Sequence, residues 1–110
     1  MSKAIQLDEL FAEIKARRGA APEESYSAQL LADLPRAAGK LGEEASETIV
    51  AALSQSDEEL VGEAADVMYH LLVVLAARGL TLDAVMDELA RRRGQSGLAE
   101  KASRSKGTSS

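Results

Sequence analysis

Leu7, Leu10, Phe11 and Ile14 recur at the i, i+3, i+4, i+7 spacing of one helical face. Gly19 follows the basic residues Lys15, Arg17 and Arg18, so a first helix is predicted to end there. The stretch GAAPEES, Gly19 to Ser25, reads as a loop, and Ser25 can cap a short helix reaching about Ala32. Pro35 suits the first turn of a second long helix, where its missing N–H is not needed, and that helix is expected to reach Leu53. Ser54 to Ser56 interrupt it. Ser56 and Glu59 form a capping-box pair ahead of an apolar-rich run, which predicts a third long helix to about Arg78, stopped by Gly79. Thr81 caps a last amphipathic helix carrying Leu82, Val85, Met86 and Leu89. Its Arg91, Arg92 and Arg93 fall at the C-terminal end, where the helix dipole favours cations. From Gly94 onward Gly, Ser and Lys dominate, so a mobile tail over 94–110 is expected behind a single domain at 1–93. With no strand alternation and no repeat, the pattern predicts an all-α fold of four to five helices.

The polar residues within the apolar stretches carry the chemistry. From Ala64 to Ala77 every residue is apolar or aromatic except Asp66 and His70, four apart on one face, with Glu63 and Glu59 continuing the stripe. A helix apolar on all sides is expected to be buried, and an ionised carboxylate inside it is costly unless paired or ligated. Met68, Leu72 and Leu75 read as ordinary core. His70, the only histidine, reads either as a hydrogen-bonded core residue or as a metal ligand. On the preceding helix Glu44 and Glu47 lie three apart, about 60° from each other around the axis, as do Glu63 and Asp66. Antiparallel packing, favoured by the short connection, would bring four carboxylates together. Such a cluster is self-repelling without a cation, and hard oxygen ligands select Mg2+, Mn2+ or Ca2+. The alternative is that Glu43, Glu44 and Glu47 form a solvated helix face.

Composition narrows the picture. At 45% hydrophobic and 28% charged residues, with two prolines among 110 residues, the chain suits a soluble helical protein. The absence of cysteine excludes a disulfide scaffold, a thiolate metal site and a cysteine nucleophile, and makes a reducing interior the expected home. No basic-then-apolar leader precedes Leu7, and the longest apolar run, Leu71 to Ala77, falls far short of the ~20 residues of a membrane span, so a cytoplasmic protein is expected. A net charge of −5 argues against nucleic-acid binding and admits a polyanionic small molecule only if a metal brings it in.

KLGEEASETIVAAL followed by EAADVMYHLLVVLAARGLTLDAVMDEL closely resembles the phosphoribosyl-ATP pyrophosphatase family, and the upstream ARRGAAPEESYSAQLL fits the same family, so the likeness spans residues 5–93. The resemblance implies a helical bundle of the MazG-related nucleotide pyrophosphohydrolases, with subunits paired through their long helices as a homodimer or higher homo-oligomer. It also implies Mg2+-dependent hydrolysis of phosphoribosyl-ATP between its α- and β-phosphates, giving phosphoribosyl-AMP and pyrophosphate, the second step of histidine biosynthesis. The family's metal-binding acids fall on Glu44, Glu47, Glu63 and Asp66, with Glu43 as an accessory acid. Candidates for the general base are Glu43, Glu44 and Glu47. Lys40 suggests a phosphate contact or an i, i+4 pair with Glu44; Arg17, Arg18 and Tyr26 suggest phosphate and base or ribose contacts. Two rival functions remain: a house-cleaning nucleoside-triphosphate pyrophosphatase of the same fold, and a non-enzymatic helical interaction module.

Overall fold

Side-chain caps define most of the helix starts. In the computed structural model, which describes residues 3–93, Ser25 accepts from the Ala28 N–H, Asp33 from Arg36, Ser56 from Glu59 and Thr81 from Ala84. These caps open α2 (Tyr26–Leu31), α3 (Leu34–Ser54), α4 (Asp57–Ala77) and α5 (Leu82–Arg92). At Ser56 the capping box is complete, because Glu59 Oε1 also accepts from the Ser56 N–H. The first helix, α1 (Ile5–Ala16), has no side-chain cap, and a single 3-10 turn at Pro22–Glu24 leads into α2. Gly19 and Gly79 end their helices with φ of 88° and 74°, left-handed values that glycine adopts without steric cost. The described residues contain no strand, and the protein is all-α. The tail expected over 94–110 lies outside the described residues.

The two long helices form an antiparallel hairpin joined only by Gln55 and Ser56, and they make the most extensive helix–helix contact in the fold. The shorter α1 and α2 pack mainly against α4. Phe11, Ile14, Leu30, Leu72, Val73 and Leu82 form the core, with Ala37 from the start of α3 and Ala76 from the end of α4. Burial is thus concentrated at one end of the hairpin.

The third helix, expected to be more apolar than a chain of this size can cover by itself, is covered only in part; Met68, read as core, is the exception to that reading. Leu72 is buried and Leu75 is half-buried against the core, whereas Met68, Leu71 and Val61 are exposed. At 1.5 Å per residue α1 is about 18 Å long and α4 about 32 Å, so α1 cannot shield α4 along its length. Ile49, Val50 and Leu53 of α3 are likewise exposed, Leu53 at 82%. By length and apolarity alone α4 also meets the requirement for a membrane span, and it is the only described helix that does. Glu63 and Asp66 lie inside that stretch and converge with Glu44 of α3.

Candidate active site

The hairpin sets the acids facing one another. Glu44 and Glu47 follow each other along one side of α3, and Glu63 and Asp66 along one side of α4. Carboxylate oxygens of Glu44, Glu63 and Asp66 lie within 4.8 Å of one another, a spacing that suits a single bound cation. Glu47 completes the group through side-chain interactions with both Glu44 and Glu63. Beside it an open groove of about 420 Å³ runs toward the hairpin turn, lined by Ser46, Glu47, Val50, Gln55, Glu59 and Glu63.

The electrostatics are those of an uncompensated anionic cluster. Burial pushes the Glu44 carboxyl above the ordinary carboxylate range, reinforced by its shared hydrogen bond with Glu47 and repulsion from Glu47 and Asp66; His70 opposes the shift. Glu63 is raised in the same sense, by desolvation first and then by Glu47, Glu44 and Asp66. Glu44 Oε2 is shut off from solvent with no hydrogen-bond partner. A buried acceptor lacking a donor is costly, and a cation is the partner that this acid-only donor set fits. The expectation that Asp66 is enclosed in apolar surroundings is corrected: the residue is exposed, with a carboxylate oxygen among those of Glu44 and Glu63.

Other residues singled out from the sequence have different surroundings. Glu43 is exposed and forms a long 3.9 Å ion pair with Lys40, which therefore pairs at i, i+3 with Glu43 rather than at i, i+4 with Glu44. Arg18 donates to the Ala76 carbonyl at the C-terminal end of α4, ten residues beyond Asp66 and about 15 Å along the helix from it. Tyr26 lies 3.2 Å from His70 Nε2 through its hydroxyl, and its ring stacks on Tyr69. His70 is buried, with Nδ1 2.7 Å from the Asp66 carbonyl. The hydrogen-bonded core reading of this histidine thus matches its surroundings.

Two participants were missed by sequence reasoning. Thr48 Oγ1 donates to the Glu44 carbonyl at 2.8 Å, and Ser27 Oγ meets the Tyr69 hydroxyl at 2.5 Å. The i+4 spacing of Thr48 from Glu44 was a readable signal for the first. The second joins residues 42 apart and had none.

A family model described as phosphoribosyl-ATP pyrophosphohydrolase matches residues 4–93. The phosphoribosyl-ATP pyrophosphatase of Erythrobacter litoralis is 61% identical over 99 residues, covering 89% of this chain and 95% of its own. Those of Caulobacter sp. strain K31 and Ruegeria pomeroyi are 53% and 55% identical, covering 94% and 92% of this chain and 98% and 97% of theirs.

Proposed function

The chain belongs to the phosphoribosyl-ATP pyrophosphohydrolase family, a family of hydrolases, and from that premise we propose that it cleaves phosphoribosyl-ATP to phosphoribosyl-AMP and pyrophosphate in a Mg2+-dependent reaction. In this reading it is a cytoplasmic enzyme of the second step of histidine biosynthesis. The observation that carries the proposal is the convergence of acids from α3 and α4 beside an open groove, with Glu44 Oε2 buried and unpartnered.

Glu44, Glu47, Glu63 and Asp66 would hold the ion. A bound Mg2+ would supply neutralisation of phosphate charge and easier deprotonation of the attacking water. The proton of the attacking water passes to a carboxylate of α3, with Glu44 and Glu47 nearest and Glu43 accessory at the edge. Lys40, one turn before Glu44, leaves its weak pair with Glu43 to meet a phosphate oxygen. Arg18 and Tyr26 serve the helix framework, since both are engaged at α4. The active species is a homodimer that covers the bare apolar surface of Ile49, Leu53 and Val61.

Pyrophosphate release from phosphoribosyl-ATP and from a panel of nucleoside triphosphates, each with Mg2+ and with EDTA, tests the reading. Preferential turnover of dCTP or dUTP would assign the chain to house-cleaning hydrolysis instead. Turnover undiminished by EDTA would remove the metal role from the acids.

A further inference from the structure

The Tyr69–His70 pair on α4 is left unused by the proposed hydrolysis, yet it ties α4 to α2 through several polar and ring contacts. His70 Nδ1 must carry a proton, because the Asp66 carbonyl 2.7 Å away can only accept. In the neutral ring Nε2 is then the acceptor for the Tyr26 hydroxyl at 3.2 Å. The imidazole meets both tyrosine rings edge-on, with centroids 5.0 Å from Tyr69 and 6.0 Å from Tyr26. Ser27 makes a second tie from α2 to α4 through the Tyr69 hydroxyl. Helix α2 is itself anchored in the core by Ala28 and Leu30.

We propose that His70 is a positioning residue: bridging the Asp66 carbonyl to Tyr26, it fixes the α4 turn that presents the Asp66 carboxylate and registers it against α2. Asp66 is exposed and lies mid-helix, so its backbone is already held in the α4 ladder; what the buried His70 ring adds is a tie from that turn across to α2. Tyr26 is on this account a support for the metal acids and not a contact for the base or ribose. The inference rests on the proposed metal-dependent hydrolysis, but Mn2+ binding without substrate measures it separately.

The experiment is Mn2+ titration of the full chain by electron paramagnetic resonance, with melting temperature and steady-state kinetics on the same preparations. His70→Ala is expected to weaken Mn2+ binding about tenfold, the lower end for the loss of an outer partner of a metal ligand. His70→Asn, whose amide can still donate to the Asp66 carbonyl, recovers most of that loss. Tyr26→Phe keeps the ring and removes only the hydroxyl, so it tests the bridge even if His70→Ala does not fold. It should weaken Mn2+ about threefold, the effect of one lost hydrogen bond, and leave KM for phosphoribosyl-ATP at saturating metal as in the wild type. A folded His70→Ala that binds Mn2+ like the wild type overturns the proposal, as does an Asn variant no better than Ala. So does a raised KM in Tyr26→Phe with unchanged Mn2+ affinity, which would return Tyr26 to the substrate. A wild type that binds Mn2+ but fails to hydrolyse phosphoribosyl-ATP refutes the substrate reading alone.

Discussion

Replacing Glu44 by Gln should make the metal-free protein more stable while abolishing activity. Glu44 carries a carboxylate raised by burial and by its acidic neighbours, with one oxygen buried and unpartnered. Its reach to Asp66 is at most 4.8 Å. Two unit charges at that separation repel by about 1 kcal/mol in a water-like medium and about 3.5 kcal/mol at an effective dielectric of 20. The groove admits water, so the lower part of the range applies, and about 1–2 kcal/mol is the expected gain. The new amide also keeps the hydrogen bond to Glu47 without needing a shared proton. For a domain of this size the gain corresponds to a rise in melting temperature of roughly 5–15 °C in EDTA. Saturating Mg2+ should close the gap, because the wild type gains about 2.7 kcal/mol at a hundred times its Kd while the variant, short of one ligand, gains less. Calorimetry of both proteins with EDTA and with Mg2+, alongside pyrophosphate release, reads all of this. A Gln variant less stable than wild type in EDTA would mean that the carboxylate is well partnered in the free protein. An equal response of both proteins to Mg2+ would remove Glu44 from the metal site.

Asp66→Asn preserves shape and removes charge, so Mg2+-dependent turnover should vanish with circular dichroism unchanged; near-wild-type activity would exclude Asp66 as a ligand. Because the folded carboxyls of Glu44 and Glu63 are raised above the ordinary 4.5, the native state holds protons that the unfolded chain has already released. Their contribution to stability is therefore present at low pH and lost as pH rises through the folded values. In EDTA the stability contributed by these groups should fall as pH rises above the ordinary 4.5, and Glu44→Gln should flatten that slope. Leu53→Glu, at a site 82% exposed, should shift sedimentation toward monomer and lower activity together, and an active wild-type monomer would refute the dimer. Gly79→Ala forces a left-handed alanine at φ 74° and should cost about 1 kcal/mol in denaturant melts; no loss would mean that the turn can relax.

Features governed by neighbours within four residues were legible in the sequence. Ser25, Ser56 with Glu59, and Thr81 all cap where expected, and the acids face one another because a short turn leaves two long helices little choice but to pack antiparallel. The α3 cap is Asp33, two residues before Pro35, whereas the sequence pattern marks this start only through the proline in the first turn. The first helix ends at Ala16, leaving Arg17 and Arg18 in the turn, where the predicted end at Gly19 had counted them as helical. What periodicity could not reveal was which apolar residues find a neighbour. Val73 and Met68 are both apolar α4 residues, yet about 140° apart around the axis: the first is buried in the core and the second lines an open groove beside α1. The contacts of Arg18 with Ala76 and of Tyr26 with His70 span 58 and 44 positions, and no local rule anticipates them.

The two-residue link between α3 and α4 also bears on how the protein folds. Glu44 and Glu63 are 19 positions apart along the chain, so the cluster assembles when one hairpin closes and need not wait for α1 or α5. Closing so short a segment loses little loop entropy and suits rapid folding, but here the closing arms bring like charges together. A divalent cation present during refolding therefore relieves the main electrostatic resistance to closure. If the hairpin forms in the rate-limiting step and the acids take Mg2+ as proposed, the ion will accelerate folding as well as slow unfolding, and the proposed site will also be the point at which ion supply sets the rate of maturation.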